Sequence, residues 1–128
     1  GVFQEELVSI TLKGLDGVTQ IQNMMLNLRS NPPKTLGGVA LAELHDVKSG
    51  ICKHIATGSE TTLPYPSSDV LQFVLEDGSK ISARPSGTEP KIKFYFSLRK
   101  EIASVDEVSA AQAELMKKIE VIKAELLN

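Results

Sequence analysis

The chain has 128 residues, of which 41% are hydrophobic and 23% charged, with a formal net charge of -2. That length suits one domain able to bury a core without staples, and the small negative charge gives no global field to draw in nucleic acid or anionic lipid. A single cysteine, Cys52, excludes an intrachain disulfide framework and fits a reducing, cytoplasmic setting. No run approaches the roughly 18 apolar residues that span a bilayer, and Gly1-Val2-Phe3-Gln4-Glu5-Glu6 lacks the basic and apolar regions of a signal peptide.

Residues 1–13 are mixed, and Leu7-Val8-Ser9-Ile10-Thr11-Leu12 fits strand or helix equally. This stretch is expected to be a linker or the remnant of a preceding domain. Gly14-Leu15-Asp16-Gly17 is a breaker, with Asp16 suited to cap the next element. Val18, Ile21, Met24, Met25 and Leu28 recur at helical spacing, which predicts an amphipathic helix over 17–29 stopped by Asn31-Pro32-Pro33. Val39 to Asp46 reads as a strand, with Val39, Leu41 and Glu43 on one face and Ala40, Ala42 and Leu44 on the other. Residues 48–69 are rich in Ser, Thr, Gly and Pro and read mostly as loop.

The clearest patterning lies between Val70 and Arg99. Leu71, Phe73 and Leu75 alternate along one strand, Asp77-Gly78 is a hairpin turn, and Ile81 and Ala83 point inward from the returning strand. From Lys91 to Arg99, Ile92, Phe94, Phe96 and Leu98 face one way, while Lys91, Lys93, Tyr95 and Ser97 face the other. Ser104 and Glu107 form a capping-box pattern, and Val108, Ala111, Leu115, Ile119, Ile122 and Leu126 give a buried stripe for a helix ending near Leu127. The expected fold is α+β: a four-stranded, mainly antiparallel sheet with two helices packed on one face.

Between the last two strands lies Arg84-Pro85-Ser86-Gly87-Thr88-Glu89-Pro90-Lys91. A guanidinium offers a planar fork to phosphate oxygens, hydroxyls add short donors, and glycine admits backbone N–H groups close to a ligand. Pro, Ser, Gly and Thr also suit a plain tight turn. A turn does not need Arg, Ser and Thr together, however, and Lys91 and Lys93 project just beyond it. Glu89 is mildly repulsive toward an anion. Other chemistry is poorly supported. Ser86 has no histidine near it in sequence and no nucleophile-elbow pattern. His45, Cys52 and His54 match no zinc spacing, with no fourth ligand apparent, so no metal site is expected. Tyr95 alone is an outward aromatic, too little for a nucleic-acid stacking platform.

The hairpin from Val70-Leu71-Gln72-Phe73 to Asp77-Gly78, the run from Arg84 to Phe96 (RPSGTEPKIKFYF) and the helix ending at Asn31-Pro32-Pro33 resemble the C-terminal domain of the α-D-phosphohexomutases, the phosphoglucomutase/phosphomannomutase family. The resemblance spans the chain from about Gly14 onward and divides it into residues 1–13 and a C-terminal phosphate-binding domain over 14–128. It implies a TBP-like fold for that domain. It also implies a four-domain isomerase in which a phosphoserine of another domain exchanges phosphoryl groups with a hexose phosphate, through a bisphosphorylated intermediate that reorients. Magnesium would be held by an aspartate-rich loop elsewhere, leaving no cofactor and no catalytic group in this chain. The last domain would clamp the phosphate that is not reacting. Carried over, Arg84, Ser86, Gly87 and Thr88 match phosphate-binding positions, with Lys91 and Lys93 as further basic groups. The chain has no serine-histidine-asparagine-proline motif and no DGDGDR-like loop. It therefore reads as one domain of an enzyme, inactive alone, whose partners are a hexose phosphate and the other domains, with neither nucleic acid nor membrane. The competing reading is a stand-alone α+β binding or interaction module.

Overall fold

Strict alternation of large apolar residues with polar ones builds the centre of a sheet, and a computed structural model gives its full extent. The structure describes residues 2–12 and 16–127. The elements are β1 (Val2–Thr11), α1 (Gly17–Ser30), β2 (Thr35–Leu36), β3 (Val39–Asp46), β4 (Ile51–His54), β5 (Glu60–Thr62), β6 (Leu71–Leu75), β7 (Lys80–Pro85), β8 (Lys91–Lys100), a short 3-10 turn (Val105–Glu107) and α2 (Val108–Leu127). The strands run β1-β8-β7-β6-β3-β4-β5, with β2 pairing β3 off that path. Every pairing is antiparallel.

The α+β class and the antiparallel sheet hold, but the sheet has eight strands rather than four. The additional strands are β1, β2, β4 and β5. The ambiguous first segment becomes a strand because it pairs with β8 at every position from Val2↔Lys100 to Thr11↔Lys91. The segment expected as a linker thus contributes an edge strand to this sheet, and the boundary drawn at Gly14 lies outside the described residues. The strands β4 and β5 sit inside the stretch read as loop. They are short, and β5 (Glu60-Thr61-Thr62) is exposed throughout. Backbone pairing alone makes it a strand, so no apolar alternation announces it.

One sheet face is covered by both helices. Leu71, Phe73, Leu75, Ile81, Ala83, Ile92, Phe94, Phe96 and Leu98 pack there with Ile21, Met25 and Leu28 of α1 and Leu115, Ile119, Ile122 and Leu126 of α2. Burying each large side chain contributes about 1.5–3 kcal/mol. The inward and outward assignments for β6, β7 and β8 are those of the alternation. β3 departs from it. The register with β6 shifts between Leu41 and Glu43, so Leu41 and Leu44 are both buried and Glu43 turns to the opposite face with His45. A bulge inserts one residue and reverses the parity beyond it.

The helix starts also differ from the sequence reading. Asp16 makes no side-chain cap; its Oδ2 accepts from Gln20 Nε2 at 3.2 Å. Ser104 makes no side-chain cap either, and Glu107 Oε2 accepts from the backbone N–H of Ala103 at 2.8 Å. Neither bond of the expected capping box forms, because Glu107 reaches one residue past Ser104, and a 3-10 turn precedes α2.

Candidate functional site

The donor-rich loop is closed by its own backbone. β7 and β8 pair as far as Pro85↔Ile92. Beyond that pair, Ser86 N–H donates to the Lys91 carbonyl at 3.0 Å and Lys91 N–H to the Glu89 carbonyl at 2.7 Å. Ser86 Oγ accepts from Glu89 N–H at 2.9 Å and donates to the Glu89 carbonyl at 3.1 Å. Gly87 carries the one backbone conformation in the loop that a side chain would strain, φ +90°. No atom stands within 4 Å of where its Cβ would be, so the space over it is open.

The loop is also tied from outside. Leu12 N–H, just past the end of β1, donates to the Pro90 carbonyl at 2.8 Å. Gly17, the first residue of α1, lies against the same proline. A Cβ there would fall 2.6 Å from Pro90 Cβ and 2.9 Å from the Leu12 carbonyl oxygen. Strand end, helix start and loop therefore meet at one point.

Two cavities flank the loop. On the helix side, about 270 Å³ is lined by Val18, Met25, Arg29, Gly87 and Glu89 among others. Its guanidinium is already neutralised: Arg29 Nε contacts Asp46 Oδ2 at 3.0 Å and Arg29 Nη2 contacts Asp69 Oδ1 at 3.2 Å. On the open face, about 240 Å³ is lined by Arg84, Pro85, Ser86, Lys93 and Tyr95. Arg84 and Lys93 are register partners on β7 and β8, and both are exposed. Among the described residues no carboxylate pairs with either. The open-face cavity is lined by two cations and no carboxylate, whereas Arg29 and Lys48 on the helix side share their cavity with Asp69 and Glu89.

Of the residues singled out in the sequence, Arg84, Ser86 and Lys93 line this one cavity. Gly87 lines the cavity on the helix side. Thr88 is exposed at the tip and Lys91 starts β8 opposite Thr11 of β1; neither lines these two cavities. Glu89 forms no ion pair with Arg84 or Lys91 among the described residues. Its contribution to the loop is the backbone contacts with Ser86 and Lys91. Tyr95 is legible in the sequence only as an outward aromatic. It joins the cavity because it stands two residues from Lys93 on the same strand face. No helix among the described residues is long and apolar enough to cross a membrane.

The family model for the phosphoglucomutase/phosphomannomutase C-terminal domain matches residues 25–118. A phosphoglucomutase of Staphylococcus saprophyticus is 34% identical over 109 residues, covering 85% of this chain and 19% of that protein. Phosphoglucomutases of two Staphylococcus aureus strains, MSSA476 and MRSA252, are 36% and 35% identical over 99 residues, covering 77% of this chain and 18% of each relative. The chain spans about a fifth of the length of these curated relatives. The match takes in β3 to β8, the 84–91 loop and parts of both helices. With that loop carried on that sheet, the chain belongs to the phosphoglucomutase/phosphomannomutase family and corresponds to its C-terminal domain.

Proposed function

We propose that this domain clamps the non-reacting phosphate of a hexose phosphate while phosphoryl transfer between the 1 and 6 positions takes place elsewhere in a larger enzyme. The observation that carries this reading is the Arg84–Lys93 pair, two cations held at fixed register beside Ser86 with no carboxylate paired to either among the described residues. Like charges directly opposite on a sheet are destabilising. An anion seated between them removes that repulsion. Arg84 supplies the planar fork and Lys93 a point charge. Gly87, which lines the cavity on the helix side, lets the turn close with its positive φ, and Thr88 and Lys91 add a hydroxyl and a further charge at the rim. The Ser86 hydroxyl is committed to Glu89, so its main work is holding the turn.

A clamp of this kind reads phosphate and not the sugar carbon bearing it. That suits a substrate which must bind in two orientations. Phosphoryl transfer depends heavily on such positioning. The nucleophilic phosphoserine and the magnesium site are assigned to other domains of the same polypeptide, so the 128-residue chain alone is inactive. The expected setting is cytoplasmic.

Three or four charge-assisted hydrogen bonds contribute about 1.5–3 kcal/mol each, against an association cost of at least about 4 kcal/mol. Millimolar affinity for inorganic phosphate is the expected net result, about -4 kcal/mol. Titrating the chain with inorganic phosphate by NMR should move the amides of residues 84–91 first. Amides that stay still at tens of millimolar, roughly ten times that Kd, would remove the clamp reading. Turnover of glucose 1-phosphate by the 128-residue chain would overturn its assignment as inactive alone.

A further inference from the structure

At the far end of the open face, separated from the 84–91 loop by β6, four chemistry-bearing side chains converge. Glu43 and His45 are two apart on β3, and Cys52 and His54 are two apart on β4. The register pairs Glu43 with His54 and His45 with Cys52. All four therefore share one face. The bulge in β3 turns Glu43 to this side, and β4 lies in the stretch that composition marks as loop, so residue spacing alone conceals the group.

We propose that Glu43, Cys52 and His54 form a zinc site, with His45 orienting the Glu43 carboxylate. Ligand atoms of the three residues all lie within 4.8 Å of one another. Cys52 Sγ is 3.5 Å from Glu43 Oε1 and 3.7 Å from His54 Nε2, and His54 Nδ1 is 3.6 Å from Glu43 Oε2. Tetrahedral ligands at zinc bond lengths, about 2.3 Å to sulfur and about 2.0 Å to nitrogen or oxygen, stand about 3.3–3.6 Å apart. The two separations at Cys52 are close to that spacing; the Glu43–His54 separation is taken at the other ring nitrogen, Nδ1, and is not an edge of the same triangle. A thiolate, imidazole and carboxylate set selects zinc over magnesium or calcium, which take oxygen donors. The fourth position falls to water.

The surroundings suit an ion. Glu43 and His54 side chains are 36% and 34% exposed, which leaves an entry path, while Cys52 is buried beneath them. His45 Nε2 contacts Glu43 Oε1 at 2.7 Å, the kind of partner that fixes a ligating carboxylate. His45 Nδ1 is buried with no hydrogen-bond partner among the described residues, so Glu43 is what holds the ring. In the metal-free chain the thiol donates to Glu43 Oε1, and burial pushes its pKa up. Zinc binding releases that proton to solvent. The bound ion would staple β3 to β4 near the exposed β5 edge.

The test uses the 128-residue chain, metal-free, with a non-thiol reductant. Added zinc should bind at one equivalent and raise the melting temperature. Cobalt should occupy the same site, with a thiolate-to-metal charge-transfer band and the intense visible bands of tetrahedral coordination. Cys52→Ser should abolish the charge-transfer band. His45→Gln should keep the band and weaken zinc by about 10–100-fold. His54→Gln, at a partly exposed position, should weaken zinc by more than His45→Gln and reads the site even if Cys52→Ser does not fold. Absence of one-equivalent binding in the parent chain overturns the proposal, as does a Cys52→Ser or His54→Gln chain that binds cobalt with the parent's affinity and spectrum.

Discussion

Arg84 and Lys93 stand opposite each other on β7 and β8, with both cationic ends on the helix-free face and no carboxylate between them among the described residues. In a sheet selected only for stability, one of the two would be expected as a carboxylate or a neutral residue. Their juxtaposition stores a local repulsion that a bound anion would release. Lys93→Gln should therefore raise stability by about 0.2–1 kcal/mol and weaken phosphate binding. Thermal melts and a phosphate titration on the same sample check the two opposed signs.

Ser86 gives the opposite expectation. Its hydroxyl bonds both the N–H and the carbonyl of Glu89 and holds the turn closed. Ser86→Ala should lose about 0.5–1.5 kcal/mol and speed amide exchange at Glu89, while retaining the Arg84 and Lys93 charges. Ser86→Thr should restore the slow exchange.

Gly17 is a close-approach glycine. A Cβ at that position would overlap Pro90 Cβ and crowd the Leu12 carbonyl. Gly17→Ala should cost about 1–3 kcal/mol by overpacking, and backbone chemical shifts across residues 86–91 should change although the substitution lies far away in sequence. Urea unfolding and a two-dimensional amide spectrum measure both.

Phe94 sits at the centre of the covered face, 1% exposed and 6.4 Å, centroid to centroid, from the Phe96 ring. Phe94→Ala should destabilise by about 3–5 kcal/mol, a large share of the stability of a domain this size. A denaturation midpoint shifted with an unchanged slope would be the signature.

The strands that sequence patterning defines are those whose alternation is enforced by the core. Leu71-Gln72-Phe73-Val74-Leu75 and Ile92 to Leu98 announce themselves because each inward residue is large and apolar. The strands that escape notice owe their conformation to neighbours. Glu60-Thr61-Thr62 becomes β5 by pairing with Ile51, Cys52 and Lys53. Val2 to Thr11 becomes β1 because the free edge of β8 needs a partner. At the 84–91 loop, residue types alone are enough to suggest the anion chemistry. What they lack is distribution: which side Arg84 and Lys93 share, that Gly87 opens toward the other side, and that the Ser86 hydroxyl is spoken for. The Glu43–Cys52–His54 group is hidden more deeply. A one-residue bulge and an unpatterned strand must both be known before its members fall on one face.

The contacts that Pro90 makes with Leu12 and Gly17 have a mechanical consequence. A loop pinned at once to a strand end and a helix start is a poor flap, because it has no slack with which to fold over a ligand independently. Its reach is set by the position of the whole sheet. Were the proposed clamp to engage a sugar phosphate held in a neighbouring domain, the entire domain would have to swing, like the jaw of a vice rather than a latch. Under that proposal the travel would be governed by the joint between domains and not by the loop's own stiffness.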